Sequence, residues 1–386
     1  MKNKKMALTG GEAISYALKQ INPDVVAMYP ITPQTPIIER YSKYVADGEV
    51  DTELIRVESE HSALSATIGA AASGSRAVTA TASQGLLYMF EVLSVASGLR
   101  LPIVMPVVNR AISSPINIHC DHSDSMSAID QGWMQVYCQN AQESYEMTLF
   151  ATKLAEKVNL PIMVCQDGFI TSHNLENIEV FNDNKVKKFI EDYKPAYNLL
   201  DVDKPISIGP LALTDYYFEI RAQLFEAFSK IKKEFKEISN EFKETFDMKI
   251  NFLEKYKSND AEIIFICLSS TAESIKDVID TYRDNGYKVG LVRPVLFRPF
   301  FYEEYAKELE NAKTVVVLDR SEGPGSHAPL FKDIVISLTN IEKRPEVFSF
   351  VYGLGGREIY QKDICKLLDT LISGKLPKSK YIGLRE

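Results

Sequence analysis

At 386 residues, with 45% apolar and 25% charged residues, the chain has the make-up of an ordinary soluble globular protein, and its length favours two domains over one. A formal net charge of -8, with no basic arm interleaved with aromatics, excludes a nucleic-acid footprint. No apolar run approaches the span a bilayer needs, and the five cysteines, at 120, 138, 165, 267 and 365, include no Cys-x-x-Cys pair, which argues against structural zinc, a disulfide framework or an iron–sulfur cluster.

The basic start, Met1 to Lys5, runs into an amphipathic segment rather than the apolar core of a signal peptide, so a cytoplasmic address is expected. Apolar positions at Ala13, Ile14, Ala17, Leu18 and Ile21 predict a helix. Val25 to Met28 predicts a strand, and Tyr29-Pro30-Ile31-Thr32-Pro33 a turn, because its prolines forbid helix; a helix restarts near Pro36. Strand Leu54 to Val57 leads into Ser59 to Ser73, an Ala- and Gly-rich buried helix that must pack close against a neighbour. Strands follow at Ala77 to Thr81, Ile103 to Val108 and Ile162 to Cys165, with helices at Gly85 to Ser97 and Gln142 to Val158. This alternation predicts a doubly wound α/β domain with a parallel sheet.

Beyond Asp167 the pattern loosens, and Lys204 to Leu213 reads as irregular chain wrapping the domain. From Tyr217 to Tyr256, Leu224, Phe228, Ile231, Phe235, Ile238, Phe242 and Phe246 mark one long amphipathic helix. A second, smaller α/β unit follows. Its strands are Ile263 to Leu268, Val289 to Arg293, Thr314 to Leu318 and Val347 to Val351, with helices at Ser270 to Tyr282, near Leu330 to Leu338, and at Lys362 to Leu371. The expected division is 1–235, a helical connector 236–259, and 260–386.

In open α/β sheets, reactive groups gather beyond the carboxyl ends of the strands. Three such stretches are chemically rich here: Tyr29 to Thr35, Glu58 to His61, and Asn109 to Asp124. Topology alone would bring a threonine, a carboxylate and an arginine to one rim.

The turn Tyr29-Pro30-Ile31-Thr32-Pro33-Gln34-Thr35-Pro36 resembles the signature of the 2-oxoacid:ferredoxin oxidoreductases. Glu58-Ser59-Glu60-His61-Ser62, Thr81-Ala82-Ser83-Gln84-Gly85-Leu86, Asn109-Arg110-Ala111, Asp121-His122-Ser123-Asp124 and Asp167-Gly168-Phe169 follow in the order of that family's thiamine-pyrimidine domain. Gly209-Pro210, Leu318-Asp319-Arg320-Ser321 and Tyr352-Gly353-Leu354-Gly355-Gly356-Arg357 are similar to its pyruvate-type alpha subunits, so the resemblance covers nearly the whole chain. It implies a thiamine diphosphate-binding, pyrimidine-type domain followed by a smaller transketolase C-terminal-like α/β domain.

The resemblance also implies roles. Glu60 would meet the far nitrogen of the aminopyrimidine, where a carboxyl promotes the imino tautomer that deprotonates the thiazolium carbon. Arg110 would hold the substrate carboxylate with its planar fork, Thr32 would hydrogen-bond the substrate's oxygens, and Pro30 and Ile31 would lie beside the thiamine ring. Read without the resemblance, Glu60 is a helix N-terminal carboxylate, Arg110 a surface or interface arginine, and Thr32 a turn residue. Glu58, two residues before Glu60, receives no role.

Three motifs invite other readings. Asp121-His122-Ser123-Asp124 suggests a metal or triad, but four consecutive loop residues rarely offer ligand geometry; no metal is expected in this chain, and the roles of Asp121, His122 and Asp124 stay open. Gln166-Asp167-Gly168 lacks the first glycine of a diphosphate and magnesium motif. Gly353-Leu354-Gly355-Gly356 departs from the dinucleotide fingerprint and reads as a tight turn.

The chain is therefore expected to be one subunit of an assembly. Thiamine diphosphate would be shared with a beta subunit, with Mg2+ and 4Fe-4S clusters in the partners and gamma and delta subunits completing electron transfer. The implied reaction converts pyruvate and coenzyme A to acetyl-CoA and carbon dioxide, reducing ferredoxin. The alternatives are another 2-oxoacid (2-oxoisovalerate, 2-oxoglutarate or oxalate) or a non-catalytic assembly subunit.

Overall fold

The computed structural model describes residues 3–377 and 379–385. In chain order the first unit contains β1 (Lys4–Thr9), α1 (Gly10–Ile21), β2 (Val25–Met28), α2 (Thr35–Ala46), β3 (Glu53–Arg56), α3 (Glu60–Ala72), β4 (Ala77–Val78), α4 (Ser83–Tyr88), α5 (Phe90–Gly98), β5 (Val104–Asn109), α6 (Ser123–Ser127), β6 (Met134–Cys138), α7 (Ala141–Val158), β7 (Ile162–Asp167), β8 (Leu175–Val180) and α8 (Asp183–Ile190). Then come α9 (Thr214–Phe246), β9 (Leu253–Tyr256), β10 (Ile263–Ile266), α10 (Thr271–Asp284), β11 (Val289–Pro294), β12 (Leu296–Arg298), α11 (Tyr302–Leu309), β13 (Thr314–Asp319), α12 (Pro329–Ser337), β14 (Glu346–Tyr352), α13 (Gln361–Ile372) and β15 (Tyr381–Ile382).

The main sheet runs β12-β6-β7-β5-β4-β2-β3, parallel except for the edge strand β12. Strands β5, β6 and β7 are buried at every residue, as parallel strands covered on both faces must be. Helix α1 starts at a capping box formed by Thr9 and Glu12 and buries Ala13, Ile14, Ala17 and Leu18. From β2 the chain crosses one way to β3, then back to β4 on the other side of β2. That reversal is a topological switch point, where such sheets open a crevice at their carboxyl ends.

The second sheet runs β15-β14-β13-β10-β11-β9, parallel but for β9. The two units are knitted together: β12, which follows β11, leaves the second unit to pair with β6 and covers the edge of the first sheet. A separate antiparallel pair joins β1 to β8.

Several expectations change. The helix foreseen from Gly85 to Ser97 is two helices, α4 and α5, meeting at Met89. The long helix keeps its buried stripe from Leu224 to Phe246 but ends at Asp247, whose left-handed backbone (φ 61) stops it, and Leu253–Tyr256 is a strand of the second sheet. The stretch 204–213 is irregular as read and mostly exposed, with Ile208 packed against the core, and the first turns of α9 expose Tyr216, Tyr217 and Phe218. Helix α3 is not wholly buried, for Ser65 and Gly69 face outward. Among the described residues, no helix is long and apolar enough to cross a membrane.

Candidate active site

The three expected side chains sit at the carboxyl ends of β2, β3 and β5, around the switch point. After β2, the turn carrying Thr32 folds on itself: Gln34 and Thr35 donate backbone N–H groups to the Ile31 carbonyl at 2.7 and 3.1 Å. The Thr32-Pro33 peptide is cis, Pro33 and Gln34 are buried, and Pro30 and Thr32 stand exposed on the rim. Ile31 is half-buried beside them.

Arg110 follows β5 and is only 7% exposed. Its Nη1 donates to the Thr32 carbonyl and its Nε to the Asn117 carbonyl, both at 2.9 Å. Two backbone oxygens thus aim the guanidinium, and Thr32 and Arg110 are in direct contact. Burial lowers the arginine's pKa and the nearby Asp124 charge opposes that shift, so the group remains a cation.

Glu60 is the first residue of α3, whose N-terminus is capped by the Ser59 hydroxyl accepting from Ser62 N–H. The helix dipole favours an anion there. Glu60 is 9% exposed, and among the described residues its carboxyl has no hydrogen-bond or ion-pair partner. It lies against Gly85: a Cβ built on that glycine would stand 2.9 Å from Glu60 Oε1 and 2.4 Å from Thr81 Oγ1. Among the described residues, the Thr81 hydroxyl is itself buried without a partner. A buried hydroxyl left unpaired is costly, and here it converges with the Glu60 carboxyl beside a residue with no side chain, an arrangement that a hydrogen-bonding ligand could satisfy. Glu58, by contrast, is engaged by the Ser62 hydroxyl.

Asp124 ties these strand ends together. Fully buried, it accepts from Ser83 N–H (2.9 Å) and Arg110 N–H (3.0 Å) on one oxygen, and from Asn109 Nδ2 (2.8 Å) and Ser125 N–H (2.7 Å) on the other. Burial pushes its pKa up to about 6, against the pull of those donors. The sequence left Asp124 without a role; its position beyond β5 within a motif rich in acids was the available signal.

The neighbouring His122 and Cys120 meet a residue far away in sequence. His122 Nε2 lies 2.7 Å from Asp167 Oδ1, while Ser270 Oγ (2.5 Å) and Arg320 Nη1 (3.3 Å) donate to Asp167 Oδ2. Cys120, His122 and Asp167 could in principle ligate one cation. The Arg320 guanidinium already supplies the positive charge, 3.6 Å from Cys120 Sγ, and both Asp167 oxygens are occupied. Burial would raise the Asp167 pKa, but Arg320 and His122 outweigh it and hold the carboxyl well below its usual range. This is an ionic joint between the two units rather than a metal centre.

Comparison with known proteins finds a family and relatives that match along nearly the whole chain. The family described as pyruvate flavodoxin/ferredoxin oxidoreductase, thiamine diphosphate-binding, matches residues 16–240, and pyruvate:ferredoxin oxidoreductase core domain II matches residues 261–364. Pyruvate synthase subunit PorA of Thermotoga maritima is 51% identical, covering 99% of each chain. Ketoisovalerate oxidoreductase subunit VorA of Pyrococcus abyssi is 41% identical over 97% of this chain and 96% of its own. The solved 2-oxoglutarate:ferredoxin oxidoreductase from Magnetococcus marinus, with 2-oxoglutarate, coenzyme A and succinyl-CoA bound, superposes with a TM-score of 0.74 at 17% identity. That match covers 96% of this chain and 65% of the other, and it speaks to the fold.

Proposed function

The chain belongs to the pyruvate:ferredoxin oxidoreductase family, and from that premise we propose how its residues serve the thiamine site. It is the alpha subunit of a pyruvate synthase, an enzyme that oxidatively decarboxylates pyruvate with coenzyme A to acetyl-CoA and carbon dioxide and reduces ferredoxin. When bound, thiamine diphosphate supplies the carbanion that attacks the 2-oxoacid carbonyl.

Glu60 holds a proton at the far ring nitrogen of the pyrimidine. The observation that carries this reading is its nearly buried carboxyl without a partner, at the switch point, beside the unpartnered Thr81 hydroxyl. Those groups suit one edge of an aminopyrimidine, which both donates and accepts hydrogen bonds. Pro30 and Ile31, on the same rim, would lie beside the ring. Arg110, pre-aimed by two carbonyls, keeps donors on its outer edge for the substrate carboxylate, and the Thr32 side chain, exposed on the same rim, meets the substrate's oxygens.

The rest of the cofactor belongs to partners. A beta subunit binds the diphosphate and Mg2+, and 4Fe-4S clusters in the beta and further gamma and delta subunits carry the electrons; the cysteines of this chain, far apart in sequence and four of them buried, support that division. The work on substrate and cofactor falls to the first unit, residues 1–235 with the rest of α9 packed on it; the expected connector 236–259 ends in β9 of the second sheet, and residues 260–386 support the site. The enzyme works in the cytoplasm on soluble substrates.

Because relatives with pyruvate and ketoisovalerate names lie at 42% and 41% identity, the substrate is the point to test. Reduction of a viologen dye by the assembled complex, offered pyruvate, 2-oxoisovalerate, 2-oxoglutarate and oxalate in turn, should show the highest kcat/KM for pyruvate. A higher value for any of the others overturns the pyruvate assignment.

A further inference from the structure

Arg110 is aimed from both ends. Its backbone N–H is fixed by Asp124, while the far end of its side chain depends on the carbonyls of Thr32 and Asn117. Asn117 lies on an irregular loop whose tip, residues 113–116, is exposed, so something beyond local secondary structure must hold that carbonyl in place.

The holder is the second unit. Asn117 Nδ2 donates to the Gly355 carbonyl at 3.0 Å, while Asn117 Oδ1 accepts from His119 N–H at 2.7 Å. Gly356 N–H donates to the Cys120 carbonyl at 2.6 Å, and Gly355 N–H to Asp121 Oδ2 at 3.2 Å. Three hydrogen bonds therefore join this glycine turn to Asn117, Cys120 and Asp121 of the arginine's loop.

The glycines are required by that approach. Gly355 and Gly356 have φ of 59° and 80°, in the left-handed region. A Cβ on Gly355 would stand 2.5 Å from Asn117 Nδ2, and one on Gly356 would stand 2.4 Å from His119 Cβ. The turn is itself anchored, because Arg320 lies over the Tyr352 ring at 5.1 Å and is locked to Asp167.

We infer that the Gly353-Leu354-Gly355-Gly356 turn of the second unit, acting through Asn117, positions Arg110 to capture the substrate carboxylate. This rests on the reading of Arg110 given above. Asn117 and Gly355 are positioning residues: without their contact the guanidinium is still present but loses one of its two guides. Capture of the carboxylate should therefore weaken more than the later steps.

The test is a double-mutant cycle in the assembled enzyme, with Asn117→Ala, Gly355→Ala and the pair, and Arg110→Ala in parallel. Loss of one aiming hydrogen bond should raise the KM for pyruvate about tenfold while kcat stays close to wild type. The pair should be no worse than the larger single change, since both break one contact. A wild-type KM in Asn117→Ala, a fall in kcat with KM unchanged, or additive effects in the pair overturns the proposal. If Arg110→Ala raises KM while Asn117→Ala does not, the positioning role alone falls. If Arg110→Ala leaves KM unchanged, the carboxylate reading falls and this one with it. Should Gly355→Ala fail to assemble, Asn117→Ala decides by itself.

Discussion

Two buried carboxylates lie at the carboxyl edge of the same sheet and are treated oppositely. Asp167, with no exposure, is saturated by His122, Ser270 and Arg320; Glu60, at 9%, has no partner among the described residues. A protein spends hydrogen-bond donors where burial alone would be destabilising, and withholds them where a ligand will supply them. In this pair, saturation goes with the ionic joint between the units, and the unpartnered carboxyl goes with the proposed site.

The sharpest way to break this comparison is to remove one charge from each member. Glu60→Gln keeps shape and burial but cannot exchange a proton, so pyruvate-dependent dye reduction by the assembled complex should fall by about 10²–10⁴-fold. Its unfolding midpoint should stay at or above that of wild type. Turnover near wild type would show that the unpartnered carboxyl serves no chemistry.

Asp167→Asn should do the reverse. It leaves the Arg320 guanidinium buried without its counter-charge, a change that costs about 3–5 kcal/mol. Denaturant unfolding should register that loss, and the variant that does assemble should retain most of its activity. The depressed pKa of Asp167 gives the sign of the pH dependence in the native protein: its stabilisation is full above the ordinary carboxylate range and is lost as pH falls below it. An undiminished midpoint in Asp167→Asn would mean that this ionic joint adds nothing to the other contacts between the units.

The same contrast explains what could be read from the sequence. Strands such as Val104–Asn109 and Ile162–Asp167 were legible because burial on both faces writes a continuous apolar run. Strand Met134–Cys138 was missed because it carries Gln135, fully buried and donating to the Ser125 carbonyl. Past Phe246, Ile250 and Leu253 keep the helical spacing, but the left-handed turn at Asp247 ends the helix, 248–252 run as irregular chain, and the strand begins at Leu253. At the site, Thr32, Glu60 and Arg110 could be placed because topology puts the residues after parallel strands on one rim. Their supports could not: Asp167 with Arg320, and Asn117 with Gly355, are pairs separated by 153 and 238 positions, and such a contact leaves no period in the sequence.

Glu146 tests how far the rule extends. It sits on α7, 9% exposed, with Gln142 Nε2 donating to it at 2.6 Å, so it is neither saturated nor at a strand end. Burial, with the charges of Glu143 and Glu179, pushes its pKa up to about 8 despite that donor. A carboxyl that binds its proton more tightly when folded than when unfolded destabilises the fold as pH rises from the ordinary carboxylate range toward 8. Glu146→Gln should therefore match wild type near pH 4 and exceed it at pH 9. The gain should be about 1 kcal/mol, or ~2–4 °C in the midpoint, well below the full linkage value because the carboxyl is not wholly sealed from water. Turnover should not change. If it falls as it does in Glu60→Gln, then under-satisfaction anywhere in this fold marks function, and the carboxyl edge of the sheet has no special standing. If only stability moves, what distinguishes Glu60 is the lack of a partner at the switch point, where topology has already opened a crevice.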